Sequence, residues 1–573
     1  MTQTPDFTVS THDHPSDAAT PFARINGERL RARLAQAAAV QGTELAVIDV
    51  RETLAFSAAH LIFSSNLSHN RLELEAVARL PRRDVPIVIV DADETLATGA
   101  AARLGALGYT DIALLAGGVQ QWQRDGRPVY EGFNVRSKAF AECVEHAKQT
   151  PSVDFDSLSN DPTARRIILD SRTHDEYRNA TVPGAIHVPG ADLVRVVRDL
   201  VPDNETTIVV ACGGRTRSII GAQSLIDAGV PNPVYALRNG TGGMRVRGHA
   251  LEHGASRHAR APSATALSWA SAAAAHAIPS AGRIDVQRHD AWRGDPARTL
   301  YTLDLRDAVS FGEAHLPGSI NIAGGQLIQE IDLHAPVIGA RIVLVDDDDL
   351  VRARMTAHWL AGLGGFEVAL LRYSDVAVTP AASGTVTLTF DIPAHASMTA
   401  AELARELATH PADVTILDLS RSTAYRTAHL PGARWLLRED LQSALATIEP
   451  TQTLIVTSED GGLAALAWRE WNERHESPDT NTRGGDTRSG TTPQVRVLAG
   501  GNRAWVSADL PVERDTPIPV NPFPDVWIGP QARGGDVLAH VRAYLDWEID
   551  LVRQVEHDPD FNALTQMKRI NHQ

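Results

Sequence analysis

The stretch VVACGGRTRSIIGAQSLIDAGVPNPVYALRNGTGG, residues 209–243, opens as an apolar strand and passes through a glycine-containing loop into a helical pattern over 218–228, which Gly229 closes. A second apolar run, VYAL, follows. Strands alternating with helices read as βαβ units, and so as a parallel sheet with helices on both faces. Upstream of this stretch, IILDSR places Asp170 at the end of another apolar run.

The same pattern recurs along the chain. AVIDVR ends its strand at Asp49, YTLDLR at Asp304 and TILDLSR at Asp418, so the four aspartates are spaced by 121, 134 and 114 residues. Seven residues after each stands an aromatic, Phe56, Tyr177, Phe311 or Tyr425. Eleven residues after each begins a turn at His60, Thr181, His315 or His429, with Pro-Gly in the last three and Ile62 in place of the proline in the first. A further apolar run then leads to Asp91, Cys212, Asp346 or Ser458, which lies 31, 31, 31 or 29 residues beyond the turn start. The same position in four α/β units therefore holds a thiol once.

The expected organisation is a polar, disordered tail over 1–20 and units at 21–132, 133–250, 284–376 and 398–515, with an Ala-rich linker of helical character over 251–283 and a helical extension over 525–573. Residues 476–493 lack the apolar side chains that would offset ordering entropy and read as a disordered insertion. A net charge of -16 argues against nucleic acid and anionic membranes as partners. The polar start MTQTPDFTVSTHDHPSD has neither a signal peptide nor a spanning helix, so a cytoplasmic location is expected. Two cysteines build no disulfide framework and no zinc site, and the 22 histidines show no metalloprotease spacing, so neither a metal nor another cofactor is expected.

Chemistry concentrates at Cys212. It ends a strand, where ligands of open parallel sheets bind. Gly213 and Gly214 allow the following amides to curl toward a common centre, and the helix beyond adds its positive end. With Arg215 and Arg217 nearby, a thiol of ordinary pKa ~8.5 is expected to be largely thiolate near neutral pH. Cys143, in KAFAECVEHAK, has no such loop and reads as structural.

The loop CGGRTR, with Asp170, Arg172, Tyr177, VPGAIHVPG and NGTGG, resembles the active-site pattern of the rhodanese family. The resemblance extends over four tandem units but is specific in the second. Where members usually carry a tryptophan after the last motif, this unit has Met244, while Trp122 and Trp505 stand there in the first and fourth units.

The resemblance implies a thiosulfate sulfurtransferase working by double displacement. Cys212 takes the outer sulfur of thiosulfate or a related small anionic donor as a persulfide, then passes it to cyanide, a thiol or an acceptor protein. Gly213, Gly214, Arg215, Thr216, Arg217 and Arg172 are the implied substrate contacts. Two rivals are a non-enzymatic binding or sulfur-carrier module and a cysteine phosphatase; related phosphatases have five residues between cysteine and arginine, against four between Cys212 and Arg217. The acidic loops after Asp91, Asp346 and Ser458 would repel anionic donors, so those units read as inactive scaffold, with recognition of a protein partner or sulfur acceptor as the alternative, and 346–349 as a solvated loop rather than a cation site.

Overall fold

The computed structural model describes residues 21–39, 42–160, 163, 165–277, 282–376, 390–446, 453–475, 494–514 and 523–566. The expected tail over 1–20 and insertion over 476–493 lie outside them. In the second unit the strands lie in the order Ser152–Val153, Val234–Leu237, Thr207–Ala211, Arg166–Asp170, Ile186–His187, all parallel. The third unit repeats that order with Gly282–Arg283, Glu367–Arg372, Arg341–Asp346, Leu300–Asp304 and Ile320–Asn321, and the fourth with Ser397–Met398, Gln494–Leu498, Thr453–Thr457, Val414–Asp418 and Arg434–Trp435. The first follows it with Ala23–Ile25, Ile112–Leu115, Ile87–Val90, Leu45–Asp49 and Ser65–Asn66. Central strands such as Ile87–Val90 are buried at every residue, which is why they read as unbroken β-branched runs instead of alternating ones. The chain is thus four tandem α/β units, each a mainly parallel sheet flanked by helices.

The repeated Asp-x-Arg motif has a structural cause. Arg172 donates from its backbone and side chain to Asp170, at 3.1 and 2.9 Å, and its Nη2 also reaches the Ala180 carbonyl at 2.5 Å. The arginine thereby joins the strand end to the end of the short helix His174–Asn179. Arg51 does the same for Asp49 and Ala59, and Arg306 for Asp304 and Ala314. In the fourth unit Ser420 replaces the arginine, and Asn502 donates to Asp418 instead, at 2.7 Å. The aromatic seven residues on stacks on the turn histidine in three units, with ring centroids 3.8–4.0 Å apart. In the second unit Thr181 replaces that histidine and donates to Asp170 at 2.6 Å.

The units are not independent beads. Val337–Ile338 of the third unit pairs antiparallel with Leu45–Ala46 and so extends the first unit's sheet. One continuous apolar core takes in Leu30, Leu193, Trp359 and Leu551, from the first three units and the C-terminal extension; the fourth unit has its own core around Leu417 and Leu454. The fourth is tied to the first by Arg438, which is 5 % exposed and donates to both oxygens of Glu73 at 2.8 Å.

Two expectations change here. The acidic run 346–349 is an interface and not a solvated loop: Arg195 of the second unit donates to Asp347 and Asp349, at 3.1 and 2.8 Å, and Arg352 holds the fully buried Asp346 at 2.7 Å. Within the linker, Ala264–Ala277 is a helix, and Gly282–Arg283 already forms the third unit's edge strand.

The helix Val537–Val555 starts at Asp536, whose side chain accepts from the Ala539 amide. Its buried stripe, Val541, Leu545, Glu548, Leu551 and Val555, recurs every three or four residues. Four of these are apolar and one is a carboxylic acid. Among the described residues no helix is long and apolar enough to cross a membrane.

Candidate active site

Cys212 follows the strand Thr207–Ala211 and precedes the helix Thr216–Asp227. The loop between them is pinned from behind. Thr241 and Gly242 donate their amides to the carbonyls of Cys212 and Gly213, at 2.9 and 3.0 Å. Gly240 sits at φ +51°, and a Cβ there would stand 2.2 Å from the Cys212 oxygen, so the glycine is required by both backbone angle and space. The Ser218 amide bonds to Cys212, and among the described residues the amides of 213–217 donate to no protein carbonyl, which leaves a concave nest of N–H groups at the helix start. Cys212 is 1 % exposed, and its Sγ lies 3.4 Å from Ser218 Oγ, which in turn donates to the Arg215 carbonyl at 2.8 Å.

The expected low thiol pKa is reversed in this closed arrangement. Burial pushes Cys212 up; Arg217 and the Ser218 hydrogen bond pull it down, Glu548 pushes it further up, and the net direction is upward. Charge near a thiol lowers its pKa only as far as desolvation of the thiolate permits.

The arginines are each held. Arg215 forms a buried pair with Glu142 at 2.6 and 2.8 Å and is also bonded to Glu145 and Asn239, so it braces the loop against the helix Val135–Lys148. Arg217 donates to both oxygens of Glu176, at 2.6 and 2.7 Å, and to Gln326 of the third unit at 2.8 Å, while its charge acts on Cys212. Arg172 makes the same bracket that units without a cysteine make, although its stem passes 3.9 Å from where a Gly213 Cβ would lie. Thr216 donates from its hydroxyl to Glu548 Oε1 at 3.1 Å.

Cys212 opens into a chamber of about 740 Å³ whose walls come from all four units and the C-terminal extension. Arg71 and Arg79 project from the first unit, Glu330 from the third, Arg421 from the fourth and Trp527 from the extension. Eight basic and six acidic side chains line it, an excess of positive charge inside a protein whose net charge is -16.

Sequence reasoning missed the cover of this chamber. Glu548 is 1 % exposed; Oε1 takes hydrogen bonds from Thr216 and Tyr544, and Oε2 has no protein partner among the described residues. A Cβ on Gly214 would stand 2.7 Å from Glu548 Oε2, so the loop glycine admits the carboxylate. Facing it, the Lys138 ammonium lies 5.1 Å from the ring centroids of Trp527, Tyr544 and Trp547 and donates to the Phe133 carbonyl at 2.6 Å. Burial lowers this lysine to about 8. The only local signal of the acid was its place in an otherwise apolar helical stripe.

The three other loops fill their own nests. The Asp91 carboxylate accepts from the amides of Glu94, Leu96 and Ala97 at 2.7, 2.7 and 3.0 Å. Asp346 accepts from Asp347 and Ala353, at 2.8 and 2.9 Å, and Ser458 Oγ from Ala464 at 3.3 Å. Met244 is buried at the position that Trp122 and Trp505 hold in their units, where each indole donates to a carbonyl six residues on, at 2.8 and 2.7 Å. Cys143 is pushed up to about 11 by burial.

The fold also gathers three histidines that the sequence scatters. His174, His187 and His258 place ring nitrogens within 4.8 Å of one another. Zinc bonds of 2.0–2.1 Å in tetrahedral geometry require about 3.3 Å between ligand atoms. The 3.2 Å approach of His187 Nδ1 and His258 Nδ1 is accounted for by a hydrogen bond between them, with His187 Nε2 on the Arg172 carbonyl at 2.9 Å.

Comparison with protein families matches the rhodanese-like domain at residues 28–125, 153–244 and 399–508. Among solved structures, the chain is similar to a thiosulfate sulfurtransferase from Pseudomonas aeruginosa at 39% identity, covering 94% of this chain and 99% of that one with a TM-score of 0.84. It is also similar to a rhodanese-like domain protein from Staphylococcus aureus at 16% identity, covering 21% of this chain and 98% of that one with a TM-score of 0.16. No curated protein sequence matches the chain.

Proposed function

The chain belongs to the rhodanese-like family, and on that premise we propose that it is a sulfurtransferase whose single working thiol is Cys212. The observation that carries this reading is the nest of amides at 213–217 that no protein oxygen fills beside Cys212, against three homologous nests that each hold a side-chain oxygen of their own. An empty nest stabilises an anionic sulfur brought to it; an occupied one does not.

In the proposed cycle the Cys212 sulfur attacks the outer sulfur of thiosulfate or a related small anionic donor, and the donor's S–S bond breaks with sulfite leaving. The persulfide stays in the amide nest until cyanide, a thiol or an acceptor protein removes its outer sulfur. Arg217 holds positive charge beside the sulfur, and Arg215 and Arg172 keep the loop in shape. No cofactor enters the scheme. The Pseudomonas protein named as a thiosulfate sulfurtransferase supports thiosulfate as the first donor to test.

The test is thiosulfate-dependent thiocyanate formation from cyanide by the intact chain, Cys212→Ser and Cys143→Ser. Activity lost only with Cys212 supports the reading. An intact chain that neither turns over nor takes up sulfur from thiosulfate or glutathione persulfide favours a binding module.

A further inference from the structure

A buried thiol that must ionise to attack, and must take its proton back when it leaves, needs somewhere to keep that proton. The loop supplies no such place. Arg215 and Arg217 are permanent cations, Thr216 and Ser218 are hydroxyls, and Glu176 is committed to Arg217, which overcomes the effect of burial and holds it at about 2. The C-terminal extension supplies one. Glu548 enters the Cys212 chamber 336 residues away in sequence, with Oε1 fixed by Thr216 and Tyr544 and Oε2 unpartnered over Gly214.

We infer that Glu548 is the proton acceptor and donor for Cys212, supplied to the active loop by the C-terminal helix. The inference rests on the sulfurtransferase reading above and adds a residue to it. In the loading half, the Glu548 carboxylate takes the Cys212 proton, directly or through one bridging water. The Cys212 sulfur then bonds to the donor's outer sulfur, and the electron pair of the donor's S–S bond leaves with sulfite. In the discharge half, the acceptor's lone pair bonds to the outer sulfur, and the persulfide S–S electrons return to Cys212, which recovers its proton from Glu548. One sulfur atom moves, one proton is stored and returned, and no oxidant or reductant is consumed.

The surroundings fit this exchange. Lys138 and Glu142 face the site from the helix Val135–Lys148, Arg215 and Cys212 from the loop, and Tyr544 from the acid's own helix. Burial raises Glu548 above the usual carboxylate range, with Lys138, Thr216, Arg215 and Tyr544 pulling against it. Burial raises Cys212 as well. An acid and a thiol both biased toward their protonated forms are suited to passing one proton between them.

Glu548→Gln separates this role from the alternatives. Two quantities are read across pH on the full chain: single-turnover sulfite release from thiosulfate, and alkylation of Cys212 by iodoacetamide. Removing the negative charge makes Cys212 more acidic, so alkylation at neutral pH becomes faster. Slow alkylation samples the thiolate population at equilibrium, whereas sulfite release is limited in this scheme by removal of the proton, so it falls by about 100-fold, the usual worth of a general base, and climbs back about tenfold per pH unit as hydroxide replaces the lost base. Glu548→Asp, which keeps the carboxylate, retains the wild-type shape of the pH profile at a lower rate.

Unchanged or faster sulfite release in Glu548→Gln overturns the inference, because the acid then acts only by its charge. An equal loss at every pH also overturns it, because the acid is then structural. If the wild-type chain releases no sulfite from thiosulfate, it is the sulfurtransferase reading that fails, and the alkylation profiles still report whether Glu548 governs Cys212.

Discussion

The loop after Val90 and the loop after Ala211 occupy the same place in two copies of one fold, and they differ in who provides the negative charge. In the first unit Asp91 brings a carboxylate that takes three backbone amides at 2.7–3.0 Å. In the second, Cys212 brings a sulfur that burial biases toward its protonated form, and of the corresponding amides Ser218 meets that sulfur while those of Arg215 and Arg217 stay open. The first loop carries its acceptor as a part of the chain. On the proposed reading the second acquires its anion by reaction, and a repeat becomes inert without collapse of the loop, through one side chain that satisfies the nest.

The largest effect that could break this comparison is at the thiol. Cys212→Ser is expected to lower thiocyanate formation by about a thousandfold or more. Adding Asp91→Cys to that variant is expected to restore nothing, because the first loop has Glu94 and Leu96 where the second has Arg215 and Arg217, and Glu548 covers the second loop. Activity regained in the double variant would show that the thiol alone makes a unit active.

Next is the brace of the active loop. Arg215→Ala strands Glu142 in the interior, at about 3–5 kcal/mol, visible as a lower urea midpoint together with faster proteolysis around 213–218. The nest of the inert loop comes third. Asp91→Ala leaves three amides without their acceptor, at about 2 kcal/mol, and hydrogen exchange at Glu94, Leu96 and Ala97 is expected to quicken while sulfur transfer at Cys212 is kept. The smallest effect tests the reach of the third unit: Gln326→Ala removes one hydrogen bond to Arg217 and is expected to raise the KM for thiosulfate about two- to fivefold with little change in kcat.

What was legible in the sequence was what repeats or sits within a few residues. Asp170 with Arg172, the Pro-Gly turns and the strand-to-loop junction at Cys212 are local devices; the strand-end aspartate recurs four times and the Asp-x-Arg pair and Pro-Gly turn three times each, which made the fold readable. The Cys212 environment was legible only in part, because neighbours in sequence gave the arginines but not their partners. Glu142, Glu176 and Gln326 meet those charges, and burial, with Glu548 adding to it, reverses the expected thiol pKa. Each acts across a distance in sequence over which no periodicity connects two residues. The acidic run 346–349 was misread for the same reason, since Arg195 lies more than 150 residues before it.

The pairing of Val337–Ile338 with Leu45–Ala46 sets a timetable for the growing chain. At synthesis rates of about 5–20 residues per second, the partner of Leu45 emerges roughly 15–60 seconds after it. For that interval the first unit's sheet has an open edge, an apolar strand with free amides and carbonyls of the kind that recruits stray strands. Holding it safe until the third unit arrives is a task for the ribosome's surroundings, and slowing translation between the two segments is expected to raise aggregation without altering any contact of the finished protein.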